Sequence, residues 1–462
     1  MPDSDTNIIF ILTDDQGPWA AGCYGNREIR TPNIDRIAET GIRFDQFFCA
    51  SPVCSPSRAS FLTGRMPSFH GVHDWIREGN HGEDAATYLE GQTGYTDLLS
   101  AAGWTCGISG KWHLGNSVLP QHGFSHWFVH EKGGGPYNNA PMIRNGELFE
   151  APGYVTNVIT VDALEYIDRH ARDDDPFYLS VHYTAPHSPW TGHPQDIVNS
   201  YDDCPFETCP QEDAHPWGGA LSRCLGDREM LKGYFAAVTA MDIDVGRILD
   251  RLEQKGIRDK TFVVFTSDNG FSCGHHGFWG KGNGTYPLNM YENSITVPFV
   301  VSHPGRIEPG RVSDGMFSAI DFMPTLLDYV GVDAPESLDL PGVSFTKVLD
   351  GEDEASRDSV VIYDEYGSTR MVRTREWKYV HRYPSGPHEL YDLVNDPGEW
   401  TNLAENRSQT GRISDMLGIM ENWFDRHTLK EKDGKNLPVT GGGQVRPVGG
   451  HWEDGSQAFI QR

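Results

Sequence analysis

Residues 51–65 read SPVCSPSRASFLTGR, and the reading of the whole chain turns on them. Pro56 suits the first turn of a helix, where a missing N–H costs nothing. Gly64 is a good C-terminal stop. Cys54 therefore falls at the N-terminal mouth of a short helix, where free backbone N–H groups favour an anion. Arg58, one turn on, shares that face and adds a fixed positive charge. A lone cysteine in such a place is ordinarily just a buried residue beside a capped helix. The case for more depends on partners elsewhere in the chain.

Working outward, residues 7–15 (NIIFILTDD) form a short apolar run with β-branched residues, the pattern of a buried central strand. It stops at Asp14 and Asp15. Adjacent acids there repel each other unless something compensates, and a metal ion is the usual solution; a solvated turn is the competing reading. Thr31-Pro32 opens a helix through Thr40, and Ile42 to Ser51 forms a strand leading to Cys54. A second apolar strand, 261–266 (TFVVFT), runs into Asp268 and Asn269 and repeats the arrangement of strand, acid and glycine turn. The strand at 104–109 leads into Lys111 and His113, which alternate with Trp112 and so share one side of extended chain. His187 lies between Pro186 and Pro189, which restrict its backbone. His276 and Lys281 follow in the Asp268 loop. His70, His73, Asp74, Trp75 and Arg77 suit either a substrate mouth or an ordinary surface loop. Residues 133–136 read as a flexible glycine loop. The irregular stretch 191–225 holds Cys204, Cys209, Cys224 and His215 at no standard zinc spacing, and reads as a loop with free thiols.

With 462 residues the chain can bury a large core. Its formal net charge of −27 argues against nucleic-acid and anionic-membrane surfaces. An anionic substrate then needs a local cationic pocket. Eight scattered cysteines do not resemble a disulfide framework. The apolar run near the N-terminus is too short for a membrane span and lacks signal-peptide flanks, so a cytoplasmic location is expected.

Strands and helices alternate up to residue 354, which predicts an α/β sheet covered on both faces. Residues 355–427 read as a smaller α+β subdomain, with short antiparallel strands at 359–366, 369–375 and 377–382 and a helix near 410–427. Residues 428–462 form a Gly-rich arm, which suits an extended arm, a partner contact or disorder.

Taken in order, Asp-Asp-Gln-Gly, C-x-P-S-R-A-S-x-x-T-G-R, Gly-Lys-Trp-His-Leu-Gly, Pro-His-x-Pro, Ser-Asp-Asn-Gly, His-Gly-x-x-x-Lys and the phrase from Leu390 to Leu403 resemble the formylglycine-dependent type I sulfatase family over nearly the whole chain. The resemblance implies an alkaline-phosphatase-like fold: a mixed, mostly parallel central sheet flanked by helices, with its site at the carboxyl ends of the strands. It implies that Asp14, Asp15, Asp268 and Asn269, with Cys54 oxidised to formylglycine, ligate a divalent metal. Hard oxygen donors favour Ca²⁺, with Mg²⁺ as the alternative. Arg58, Lys111 and Lys281 would surround the sulfate; His113 and His187 would handle protons. His276, Asn138, Trp75 and His73 are carried as substrate contacts, and Trp190 and His70 suit a saccharide wall. The expected activity is hydrolysis of a sulfate ester on a mono- or oligosaccharide. Its partners are that substrate and a formylglycine-generating maturation enzyme; a homo-oligomer stays open. A phosphonate monoester or phosphodiester hydrolase on the same scaffold is the alternative, followed by a non-catalytic sulfate-binding homologue.

Overall fold

β1 (Asn7–Thr13) runs through the middle of the molecule, and its alternating side chains build two cores. Ile8, Phe10 and Leu12 face one side, where Phe10 packs on Phe61 and Phe322, with ring centroids 5.8 and 4.7 Å away. Ile9 and Ile11 face the other, among Ile159 and Ala163 of helix Val155–His170 and Met241 and Val245 of helix Arg228–Gln254. A strand apolar on both faces belongs inside such a three-layer sandwich. The computed structural model describes residues 5–352, 361–449 and 457–461.

The remaining strands are, in chain order, β2 (Ile42–Phe48), β3 (Thr105–Gly110), β4 (Phe124–His130), β5 (Asn138–Arg144), β6 (Glu147–Tyr154), β7 (Phe177–His182), β8 (Thr261–Ser267), the two-residue β9 (Ser272–Cys273) and β10 (Trp279–Gly280), β11 (Phe299–Ser302), β12 (Arg311–Ser318), β13 (Ile362–Tyr366), β14 (Thr369–Arg373), β15 (Trp377–Arg382) and β16 (Glu389–Asp392). The main sheet has ten strands in the order β12-β2-β11-β8-β1-β7-β3-β4-β5-β6. Its central block, β8-β1-β7-β3-β4, is parallel throughout, and antiparallel pairings flank it. The expected mixed, mostly parallel α/β sheet is present.

Four strands of that sheet, β4, β5, β6 and β12, are absent from the sequence reading. β5 and β6 are a hairpin closed by Asn145 and Gly146, with φ of 53° and 79°. Asn-Gly is the pair that a two-residue hairpin turn requires, so the signal was present. β12 is polar, contains Gly315 and carries a register shift between Ser313 and Met316, which blurs its alternation.

The expected α+β appendage is a four-stranded antiparallel sheet, β13-β14-β15-β16, covered by helix Thr410–His427. The boundary drawn at 354/355 and the start of the strand expected at 359 lie outside the described residues. This small sheet shares the large core: Tyr379, Leu390 and Met420 belong to the same apolar cluster as Phe10. Charge ties it down as well. The buried Lys378 ammonium reaches Glu292 at 2.7 Å and Glu399 at 2.5 Å. The described part of the Gly-rich arm folds back onto the loop at 68–77. No helix among the described residues is long and apolar enough to cross a membrane.

Helix Pro32–Glu39 has no side-chain cap of its own. Asp242, from the middle of the 228–254 helix, supplies one: it accepts from the Asn33 and Ile34 amides at 3.0 and 2.8 Å. Asp242→Ala should therefore cost about 1–3 kcal/mol, read as a lower denaturation midpoint. Asp242→Asn should lose less, because it keeps an acceptor.

Candidate active site

Four neighbouring parallel strands deliver the site from their carboxyl ends. Asp14 and Asp15 follow β1, and Asp268 and Asn269 follow β8. Lys111 and His113 follow β3, and His187 comes five residues after β7. The loops are stitched together: the Asp14 amide donates to Ala185 O and the Asp268 amide to Thr13 O, both at 3.1 Å. Asp15 sits at φ 69°, a left-handed conformation unusual outside glycine. The Tyr234 hydroxyl holds its carbonyl at 2.8 Å.

Cys54 opens helix Cys54–Thr63, every residue of which is buried. Gly64 ends the helix at φ 64°, the left-handed stop its type favours. Ser57 Oγ donates to Asp268 O. Arg58 donates from Nε to Asp268 Oδ2 at 2.8 Å and from Nη1 to Lys111 O at 3.0 Å.

Three carboxylates and three permanent cations meet here, all buried. Lys111 Nζ pairs with Asp14, and Lys281 Nζ pairs with Asp15. Lys281 Nζ is also 3.7 Å from Asp14 Oδ1. Asn269 Nδ2 donates to Asp15 Oδ1 at 2.8 Å. Burial alone would raise the Asp14 carboxyl, but Lys111, His187, Lys281 and Arg58 together hold it far below the usual range. Burial and the Asp14 charge push Asp268 up to about 6, against the pull of Arg58. Burial opposes the charge on Lys281, yet Asp15 keeps it firmly protonated. Removing one partner from such a cluster strands a buried charge, which typically costs about 3–5 kcal/mol.

Two oxygens in this cluster have no hydrogen-bond partner: Asp14 Oδ1 and Asn269 Oδ1. Ligand atoms of Asp14, Asp15 and His187 lie within 4.8 Å of one another. Unpartnered buried oxygens beside clustered carboxylates fit a hard divalent cation.

A cavity of about 370 Å³ opens above the cluster. Asp15, Cys54, His113, His187 and Lys281 reach its surface. Cys54 is 3% exposed, and burial pushes its thiol pKa up, against the pull of Lys111 and Lys281. His113 sits at φ 55°. Its Nε2 is 2.8 Å from Ile76 O. A carbonyl only accepts, so Nε2 carries the hydrogen and Nδ1 keeps its lone pair. That Nδ1 is buried and unpartnered. Burial, with Lys111, holds the His113 pKa well below the usual histidine range. His187 lies 2.7 Å from Ser188 O through Nδ1, and its Nε2 is 3.9 Å from Asp15 Oδ2.

The glycine run expected as a flexible loop packs against these histidines. A Cβ on Gly133 would fall 2.1–2.6 Å from the His113 ring, and one on Gly134 would lie 3.3 Å from His187. At Gly133 only glycine permits such an approach, whereas at Gly134 the contact is merely tight. The glycines were visible in the sequence, but what they press against was not.

Of the expected substrate contacts, Trp75 lines the cavity, as do Arg77 and Trp190. Three others stand elsewhere. His73 is fully buried, with its Nε2 2.8 Å from Lys432 O. His276 stacks between Tyr291 and Trp400, at 4.0 and 4.9 Å. Asn138 begins β5 and donates to Gly192 O at 2.7 Å. All three side chains are occupied by structural partners, which residue type alone did not reveal. His70 is likewise held, by Ser60 Oγ at 3.1 Å. Lys132, Phe271 and Asn283 line the cavity without a recognisable motif.

A family model described as Sulfatase matches residues 6–332. A second, described as N-sulphoglucosamine sulphohydrolase, C-terminal, matches residues 274–423. An N-acetylglucosamine-6-O-sulfatase of Bacteroides thetaiotaomicron is 28% identical, over 93% of this chain and 88% of its own. An N-acetylgalactosamine-6-sulfatase of Canis lupus familiaris is 32% identical over 80% of this chain and 70% of its own. A solved structure of a protein in complex with its substrate, D-glucosamine-2-N,6-O-disulfate, superposes with a TM-score of 0.79 at 26% identity. That match covers 93% of this chain and 99% of the other.

The two unpartnered oxygens make a direct prediction. Calorimetry with Ca²⁺ on metal-stripped protein should show one site per chain, and Asn269→Ala should weaken it about tenfold or more. Equal affinity in the variant would remove Asn269 from the ligand set.

Proposed function

The chain belongs to the sulfatase family, and from that premise we propose that it hydrolyses a sulfate ester on a mono- or oligosaccharide, using residue 54 as formylglycine beside Ca²⁺. Membership makes it a sulfuric ester hydrolase. The observation that carries the finer reading is the balance of charge beneath the cavity. Arg58, Lys111 and Lys281 match Asp14, Asp15 and Asp268. A divalent cation then leaves the floor net positive, which favours an anionic ester on a chain whose formal charge is −27.

Asp14, Asp15, Asp268 and Asn269 would hold the cation, which supplies charge that acidifies a neighbouring hydroxyl and offsets the sulfuryl oxygens. Residue 54, as a hydrated aldehyde, would supply one hydroxyl that attacks sulfur as the ester S–O bond breaks and the alcohol leaves, and a second whose deprotonation breaks the C–O bond to the bound sulfate, releasing sulfate and returning the aldehyde. The unmodified thiol suits neither task, being buried and pushed above its ordinary pKa. Lys111 and Lys281 fix positive charge where the sulfuryl group develops negative charge. Arg58 holds Asp268 and the Lys111 carbonyl in register. His113, neutral with a free Nδ1, is placed to take the proton of the second hydroxyl. His187, held through Nδ1 by Ser188 O with its Nε2 toward Asp15, is placed to pass a proton to the leaving alcohol; such proton transfers typically contribute 10²–10⁴-fold.

A saccharide fits the walls. Trp75, Trp190 and Phe271 offer flat apolar faces. The cavity volume is at the low end of ordinary ligand pockets, which run roughly 300–1,000 Å³, and suits one sugar ring rather than a polymer stretch. Arg77 and Lys132 also line it, and neither forms an ion pair among the described residues. The relatives named for hexosamine 6-sulfates point the same way. All eight cysteines are free, which fits a reducing compartment. Making formylglycine at residue 54 requires a maturation enzyme as partner.

Two measurements test this reading. Mass spectrometry of the peptide containing residue 54 should show the aldehyde, and Cys54→Ala should abolish release of sulfate from 6-sulfated hexosamines while the fold persists. Full activity with only the thiol, or faster turnover of matched phosphonate esters, would sink the proposal. Gly133→Ala should lower kcat about 10²-fold by displacing the His113 ring, with no loss of Ca²⁺ binding.

A further inference from the structure

Both family models stop by residue 423. The chain continues, and its last described segments close over the loop that carries Trp75, Ile76 and Arg77. Gln444 is completely buried and uses every polar group it has. Its amide donates to Trp75 O and its carbonyl accepts from the Arg77 amide, both at 2.8 Å. Its Oε1 accepts from the His73 amide at 2.8 Å and the Asp74 amide at 3.4 Å. Its Nε2 donates to Gly71 O and Arg446 O, both at 3.0 Å. Gly443, at φ 114°, donates to Asp74 Oδ2 at 3.0 Å, and a Cβ there would come within 2.9 Å of Arg77 Cβ. Trp75 Nε1 donates to Gly441 O at 3.1 Å.

What this strap pins is Ile76, from both sides. The Ile76 amide donates to Ser55 Oγ at 3.0 Å, next to residue 54. The Ile76 carbonyl accepts from His113 Nε2 at 2.8 Å. That single carbonyl keeps the hydrogen on Nε2 and the lone pair on Nδ1.

We infer that Gln444 is a positioning residue of the active site: through the Ile76 carbonyl it fixes the His113 tautomer, and through Trp75 and Arg77 it fixes one wall of the substrate cavity. The catalytic part of this inference rests on the proton role proposed above for His113; the tautomer part does not. Gln444 touches neither the reacting atoms nor the substrate. Its backbone pairs flank Ile76, and its side chain seats that backbone by holding the His73 and Asp74 amides and Gly71 O, buried groups that would otherwise seek other partners.

The test uses the full chain with ¹⁵N-labelled histidine. In the parent protein His113 should give the signature of the Nε2–H tautomer. Gln444→Ala should broaden or shift that signal toward a mixture, lower kcat for 4-nitrophenyl sulfate about tenfold or more, and raise KM for a sulfated hexosamine more than KM for 4-nitrophenyl sulfate. If the alanine variant does not fold, Gln444→Met keeps the length and volume and the backbone pairs but loses the side-chain hydrogen bonds, and should give the same readouts. An unchanged His113 signal in folded variant protein overturns the inference, whatever happens to activity. A tautomer shift in a protein that turns over no sulfate ester upholds the positioning role and removes the function instead.

Discussion

Three buried carboxylates within reach of one another are the constraint on which this protein depends. Asp14, Asp15 and Asp268 are each at most 3% exposed, and like charges at such depth do not coexist without compensation. Lys111 comes from β3, Lys281 from beyond the β9–β10 hairpin and Arg58 from the helix after β2. Each lies far in sequence from the carboxylate it pairs with, so compensation exists only when the sheet is assembled. Folding and site formation are in that sense one event. The parallel order β8-β1-β7-β3 is what brings the four strand ends together.

The same cluster reconciles an acidic protein with an anionic substrate. Long-range charge repels the ester, but exposed charges are screened within about 10 Å at 0.1 M salt, whereas the charges of the cavity floor are buried and would sum to a positive value with a cation bound. Arg77 and Lys132 extend that field to the cavity wall. Trp75, Trp190 and Arg77 set apolar and cationic groups side by side on the cavity wall, away from the floor.

Most of the floor was legible from sequence, because its residues belong to short motifs at the ends of apolar strands. NIIFILTDD and TFVVFTSDN announce both a strand and its acidic end, and SPVCSPSRASFLTGR carries its own start and stop signals. The walls were less legible. His73 and His276 have the chemistry of ligand-binding residues, yet backbone carbonyls and aromatic rings occupy them, and occupancy is a tertiary fact. Gly133 to Gly135 reads as slack in one dimension and as close packing in three. Asp242 caps a helix more than two hundred positions earlier in the chain, a pairing that no local rule anticipates. The Asn145–Gly146 turn is different: its signal is local, but the strands it joins each carry a proline, Pro141 and Pro152, and β6 is largely exposed, so neither shows a strand pattern.

Gln444 and Asp14 stand near opposite ends of the chain, and this gives the molecule a clock. At roughly 5–20 residues per second of synthesis, residue 54 emerges tens of seconds before the strap that closes over its neighbours. Until then Ile76 lacks the Gln444 pairings that flank it, and Lys281 has not yet been added. Cys54, 3% exposed in the folded protein, is thus open to solvent for the interval before Gln444 has been added.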